Sequence, residues 1–450
     1  NDWSSTLPVH RMSYFYPSVN GSFILSQALH LTSNQLNFVK LSGGWSEVGA
    51  AASAYQLINT YNFSPTLFGA NPRLSANSVD LNPDLKPEQT TSTELGLDAG
   101  FFNNRVSLDV SLYNMNSFNQ ILAVDVSSST GYQQKLINGG EINNKGLEIE
   151  LGLTPIQSPK FNWNMMINYS TNHSNVVNLD PQGNLQSYIL GSDGTIQVLA
   201  AVGQPYGALF GTAFERNAQG EIIVDQNGLP VTDPNNKYLG HYTPDWMGSI
   251  NNNFSFHHFQ LSFLIDAHFG GSIYSSTNST GTYTGVLAST LPGRDEAHGG
   301  LLYYYPGNDN SQQAIPLPKG ASGAPGGATI YDDGMIFKGI QQSGKPNDVI
   351  IPAQDYYKAL STVNEAFVYN ASYIKLREVR IGYELPGRFI HFLRLQGADI
   401  SLIGRNLWII SKHVPNIDPE TAFNTGNDQG LEDLSLPSVR TVAFNINLKF

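Results

Sequence analysis

The eleven residues FQLSFLIDAHF, 259–269, set Phe259, Leu261, Phe263, Ile265, Ala267 and Phe269 on one side and Gln260, Ser262, Asp266 and His268 on the other. Side chains that alternate by 180° belong to a β-strand with one apolar and one polar face. Two further stretches repeat the pattern. NRVSLDVSLY at 104–113 sets Val106, Leu108, Val110 and Leu112 against Arg105, Ser107, Asp109 and Ser111. The closing residues set Val442, Phe444, Ile446, Leu448 and Phe450 against Thr441, Asn445, Asn447 and Lys449. About six apolar positions per strand suffice to cross a bilayer at a tilt.

Working outward, eleven such strands are expected, at about 13–27, 36–47, 89–101, 104–118, 144–154, 160–175, 246–257, 259–270, 372–385, 398–410 and 440–450. Short connections fall at 28–35, 102–103, 155–159, 258 and 386–397. Long ones fall at 48–88, 119–143, 176–245, 271–371 and 411–439. If neighbouring strands pair antiparallel, every short turn lies at one end and every long loop at the other. A transmembrane β-barrel has this arrangement, and a soluble sandwich has no reason to adopt it. Phe101, Phe102, Phe161, Trp163, Phe256, Phe259, Phe389 and Phe450 gather at the short-turn end, where an interfacial aromatic girdle belongs. In SYIKLREVRIGYEL, 372–385, the apolar face switches near Arg377–Glu378, which marks either a β-bulge or the strand leaving the bilayer.

Composition excludes several classes. Only 13% of the 450 residues are charged, and Asn, Ser, Thr and Gly fill the gap, a mixture that favours strands and polar loops over helices. A net charge of −12 argues against a nucleic-acid partner. No apolar run is long enough for a membrane helix. Without cysteine there is neither a disulfide framework nor a thiolate metal site. The first residue is Asn1, with no signal peptide behind it, so the reading expects a preceding segment.

At this point the chain resembles the C-terminal portion of a SusC/RagA-type TonB-dependent outer-membrane transporter of Bacteroidetes. The resemblance lies in LNPDLKPEQTTSTELGLDAGFFNNRVSLDVSLYNMNSFNQIL at 81–122 and STGYQQKLINGGEINNKGLEIELGLTP at 129–155. It continues in VGQPYGALFG at 202–211, YLGHYTPDWMGSINNNFSF at 238–256, ASYIKLREVRIGYELP at 371–386, SLIGRNLWIIS at 401–411 and the closing RTVAFNINLKF. It implies an all-β fold in which residues 1–450 form about eleven C-terminal strands of a 22-stranded, plugged barrel, with the plug and the N-terminal strands outside this chain. It also implies a place in the outer membrane, a SusD-like surface lipoprotein as lid, and TonB acting through the N-terminal region. Cargo would be an oligosaccharide or a peptide, and no bond would be made or broken. A passive porin or structural barrel without energy coupling is the competing reading.

Candidate residues follow from these two frames. Arg105, Asp109, Glu148, Glu150 and Asp266 are expected to line the lumen. In the loop 271–371, Tyr303, Tyr304, Tyr305 and Tyr331 beside Asp332 and Asp333 offer flat faces and acceptors suited to a sugar or peptide, or else pack the loop upon itself. The terminal Phe450 fits an aromatic signal for the barrel-assembly machinery. No cofactor is expected. Asp225, Asn227 and Asp233 in DQNGLPVTDP could hold Ca²⁺ in an external loop, but Asn227–Gly228 reads more simply as a turn. The histidines lack ligand spacing, the Gly-rich 320–327 lacks the Lys-Ser/Thr of a phosphate loop, and no nucleophile motif is present.

Overall fold

The computed structural model describes residues 1–450 except 32, 34, 393–394 and 423–425, and the side chains of 389, 391 and 392. One sheet dominates it. Its strands are β1 (Ser18–Ile24), β2 (Leu36–Ala50), β3 (Glu88–Phe101), β4 (Val106–Asp125), β5 (Gln134–Gln157), β6 (Phe161–Asn178), β7 (Trp246–Phe256), β8 (Phe259–Phe269), β9 (Tyr373–Glu384), β10 (Gly397–Lys412) and β11 (Thr441–Lys449). They lie side by side in chain order, each antiparallel to the next, so the main path of the sheet has the eleven strands that the alternation called for.

The sheet is inverted relative to a soluble protein. Phe254, Leu261, Ile381, Leu402 and Phe444 sit in register across β7 to β11, and the last four of these are exposed. An unbroken apolar row left open is a surface for lipid. The buried apolar clusters instead lie among the long connections: Leu7, Ala52, Leu85 and Leu136 form one, and Val198, Leu209 and Tyr242 another. At the short-turn end Trp163 stacks on Phe254 at 5.5 Å, and Phe102, Phe256, Phe259 and Phe450 are exposed. The Phe389 side chain lies outside the described residues.

Two expectations need correction. The loop expected at 119–143 shrinks to 126–133, because β4 and β5 run on beyond the alternating segment. There Ile121, Ala123 and Leu136 pack against Leu7 and Leu85 rather than lipid, so the two-faced signature fades while the backbone pairing persists. The turn at 102–103 has four residues, 102–105, with Phe102, Asn103 and Asn104 all left-handed. The long loops are folded bodies. Ser187–Asp193, Ile196–Ala201, Ala208–Gly211 and Lys237–His241 make a four-stranded sheet, and helices Ser276–Thr284 and Ala353–Ser361 pack in the loop after β8.

Candidate functional site

Antiparallel register builds the inner face row by row. Lys40, Asp98, Asp109, Glu150, Asn168, Ser249, Asp266 and Lys375 stand abreast across β2 to β9. Beside this row run Ser111, Glu148, Ser170, Met247, His268 and Tyr373. Asp109, Glu148, Glu150 and Asp266 line one concavity of about 500 Å³, so four of the five expected lumen residues share a surface. Lys40 holds Asp98 at 2.6 Å. Asp109, Glu148 and Glu150 form no ion pair among the described residues, which leaves the middle of the wall acidic. Arg105 departs from the expectation. It sits in the 102–105 turn, its Nε donating to the Thr154 carbonyl at 3.0 Å and its Nη2 to that of Pro155. The turn bends it to the rim instead of into the row.

Gly146, from the NKG of 144–146, serves the same face. A Cβ there would collide with the Tyr113 ring, which lies across β5 so that its hydroxyl donates to Asn172 Oδ1 at 3.2 Å.

The switch of face in β9 is a bulge. Leu376 pairs with Ile265 and Glu378 with Leu264, leaving Arg377 as the extra residue against β8. Toward β10, Leu376 pairs with Trp408 and Glu378 with Arg405, so there Asn406 and Leu407 stand against Arg377 and the extra residue is on β10. An extra residue turns its side chain away from the alternation. Arg377 uses that freedom to donate to Asp266 at 2.6 and 2.8 Å and to both oxygens of Glu420. Lys375, two residues earlier and almost wholly buried, reaches Asp418 at 2.5 Å and Glu420 at 2.6 Å. Tyr373 donates to Glu420 at 3.0 Å, and Asp418 also accepts from the Ser438 hydroxyl and amide. Two cations and three carboxylates thus fasten the segment after β10 to the wall. Burial would raise the Glu420 carboxyl, but Arg377 and Lys375 hold it down to about 2. Sequence reasoning overlooked this cluster. Its signal was available in the paired cations of IKLREVR and the carboxylates of DPE at 418–420, but the two lie some forty residues apart, and nothing in a single sequence joins them.

Farther along the same segment, Glu432 is fully buried and accepts from the hydroxyls of Ser275 and Thr277 and from the Ser435 amide. This ties it to the start of the helix Ser276–Thr284.

The tyrosine cluster comes together, but mostly with itself. Tyr303 is buried, stacks on Tyr331 at 5.2 Å, meets Tyr305 edge-on and donates to Asp333 at 3.0 Å. Tyr304 is buried as well. Both are therefore loop packing rather than open faces, because their rings supply the core of this loop. Tyr305, Tyr331 and Asp332 remain accessible, and Tyr305 opens on a cavity of about 540 Å³ with Tyr283, Gln312, Asp355 and Lys358. Asp225 accepts from the amides of Asn227 and Leu229 at 2.9 Å each, which makes the DQNG stretch a turn. Among the described residues, no three His, Asp or Glu side chains are grouped as metal ligands.

Comparison with known proteins places this wall. A family model described as TonB dependent receptor-like, beta-barrel matches residues 1–294. TonB-dependent receptor P26 of Formosa agariphila is 25% identical over all of this chain and 44% of its own length. TonB-dependent receptor SusC of Bacteroides thetaiotaomicron is 22% identical over 93% of this chain and 38% of its own length. The solved RagAB peptide transporter superposes with a TM-score of 0.70 at 20% identity, covering 100% of this chain and 45% of that one. The chain thus spans less than half the length of these relatives.

Proposed function

Because the chain belongs to the TonB dependent receptor-like β-barrel family and so to the outer membrane, we propose that it forms the C-terminal half of the wall of a TonB-energised importer of oligomeric nutrients, glycan or peptide. The observation that carries this reading is the pairing of an open apolar outer face with an acidic, hydrogen-bonding inner face on one continuous sheet. Such a wall separates lipid from a watery path. Among the described residues, strands β1 and β11 each present an outer edge with no partner in the main sheet, and unpaired edges are untenable in lipid. Further strands would therefore continue the wall to a 22-stranded barrel around a plug.

In this reading a SusD-like lipoprotein covers the folded long connections, and TonB acts through a region outside residues 1–450. Tyr305, Tyr331 and Asp332 stand where cargo would first meet the loops. The acidic row of Asp109, Glu148 and Glu150 favours uncharged or cationic cargo over polyanions, since like charges repel in a confined, poorly screened lumen. Phe450, exposed beyond β11, is the element the barrel-assembly machinery would read.

The test is uptake of labelled oligosaccharides and peptides by cells carrying the intact protein, with and without TonB. Uptake should stop when TonB is removed. Uptake that continues unchanged would instead identify a passive porin.

A further inference from the structure

We infer that the short-turn rim between β4 and β5 is a phospholipid site, with Arg105 on the phosphate and the groove beside it holding an acyl chain. The inference rests on the position of the wall in the membrane and is independent of cargo and energy coupling.

The groove, of about 390 Å³, is lined by Phe102, Arg105, Val106, Leu153, Thr154 and Pro155. Val106 and Leu153 are cross-strand partners in an outward-facing row that continues from Phe101. It therefore opens on the lipid side, where the occupant of an apolar furrow is a hydrocarbon chain. Three features make it a built site rather than a gap.

The first is Arg105. The register shift between Leu153 and Ile156 takes Thr154 and Pro155 out of pairing with β6. Arg105 caps their two carbonyls, which fixes its guanidinium at the mouth of the groove. Its Nη1 has no protein partner among the described residues, and a planar fork held in place is the group that best binds a phosphate.

The second is Phe102. Its φ of 55° is a left-handed conformation that a bulky residue rarely adopts, and its ring lines the groove.

The third is the charge of the whole rim. Among their described residues, the turns 25–35, 102–105, 158–160, 257–258 and 385–396 contain Arg105, Lys160 and Arg388 and no Asp or Glu, although acidic residues outnumber basic ones 36 to 24 over the chain. A wholly basic rim at headgroup level matches an anionic leaflet.

The experiment reconstitutes the intact protein in bilayers of phosphatidylethanolamine with a minority of phosphatidylglycerol. Native mass spectrometry then counts the lipids kept after detergent washing. The unaltered protein should retain phosphatidylglycerol, and Arg105→Gln should lower retention about tenfold, as loss of one charge-assisted contact implies. Leu153→Trp keeps Arg105 but fills the groove, and should lose the lipid as well. Lys319→Gln, in the long connection after β8 and away from this rim, should leave retention unchanged. Heat-modifiable gel mobility verifies that each variant is assembled. Full retention by assembled Leu153→Trp or Arg105→Gln would overturn the site. So would equal displacement by soluble glycerophosphoglycerol, which would reduce it to a phosphate contact without a chain.

Discussion

Lys375 is a buried cation of the sheet, paired with two carboxylates of the segment after β10. It is enclosed with Asp418 and Glu420, and a buried charge stripped of its partner is costly. Lys375→Met should therefore destabilise the local structure by about 3–5 kcal/mol. The damage should centre on the segment after β10, read as new protease cleavage within 413–439 while the barrel stays assembled. Cleavage unchanged from the parent would mean that the ion cluster does not hold this segment. Acid tests the same contact. Glu420 is held down to about 2, below its ordinary value of 4.5. A depressed carboxyl contributes stability above the ordinary value and loses it as the pH falls through the folded one. Pepsin, active throughout that window, should leave 413–422 intact near the upper end and cut it near the lower.

At the scale of elements, the bulge and the glycine show how strands are adapted to the lumen. Gly146→Ala should reduce the amount of assembled barrel, because its Cβ would press on the Tyr113 ring. Tyr113→Ala should restore assembly in the double variant. A double variant no better than Gly146→Ala would place the fault elsewhere. The reading of the sequence was strongest for such elements. All eleven strands were legible, because lipid on one side and water on the other impose alternation on every one of them. Alternation stopped being informative where β4 and β5 leave the bilayer, since there both faces meet protein. At the face switch near Arg377 the sequence left two readings open, and only the pairing of β9 with β8 identifies a bulge.

Over the whole molecule, parity alone put Asp109, Glu148, Glu150 and Asp266 on one shared face, because strand geometry fixes which face a residue takes. Arg105 could not, since a turn of left-handed residues precedes it and breaks the count. The tyrosine cluster was legible as a cluster but not in its exposure. Which rings become the core of a loop depends on pairings such as that of Tyr303 with Tyr331, and no local pattern encodes these.

Residues 1–450 contain no cysteine, so single-cysteine labelling in outer membranes, with any cysteine elsewhere in the intact protein replaced, measures the central claim directly. Cysteine placed at Asp109, Glu150 or Asp266 should react with a small water-soluble maleimide. Cysteine at Leu261, Ile381 or Leu402 should resist it and react with a lipid-soluble one. Equal reaction of both sets with the water-soluble reagent would contradict a wall between lipid and lumen.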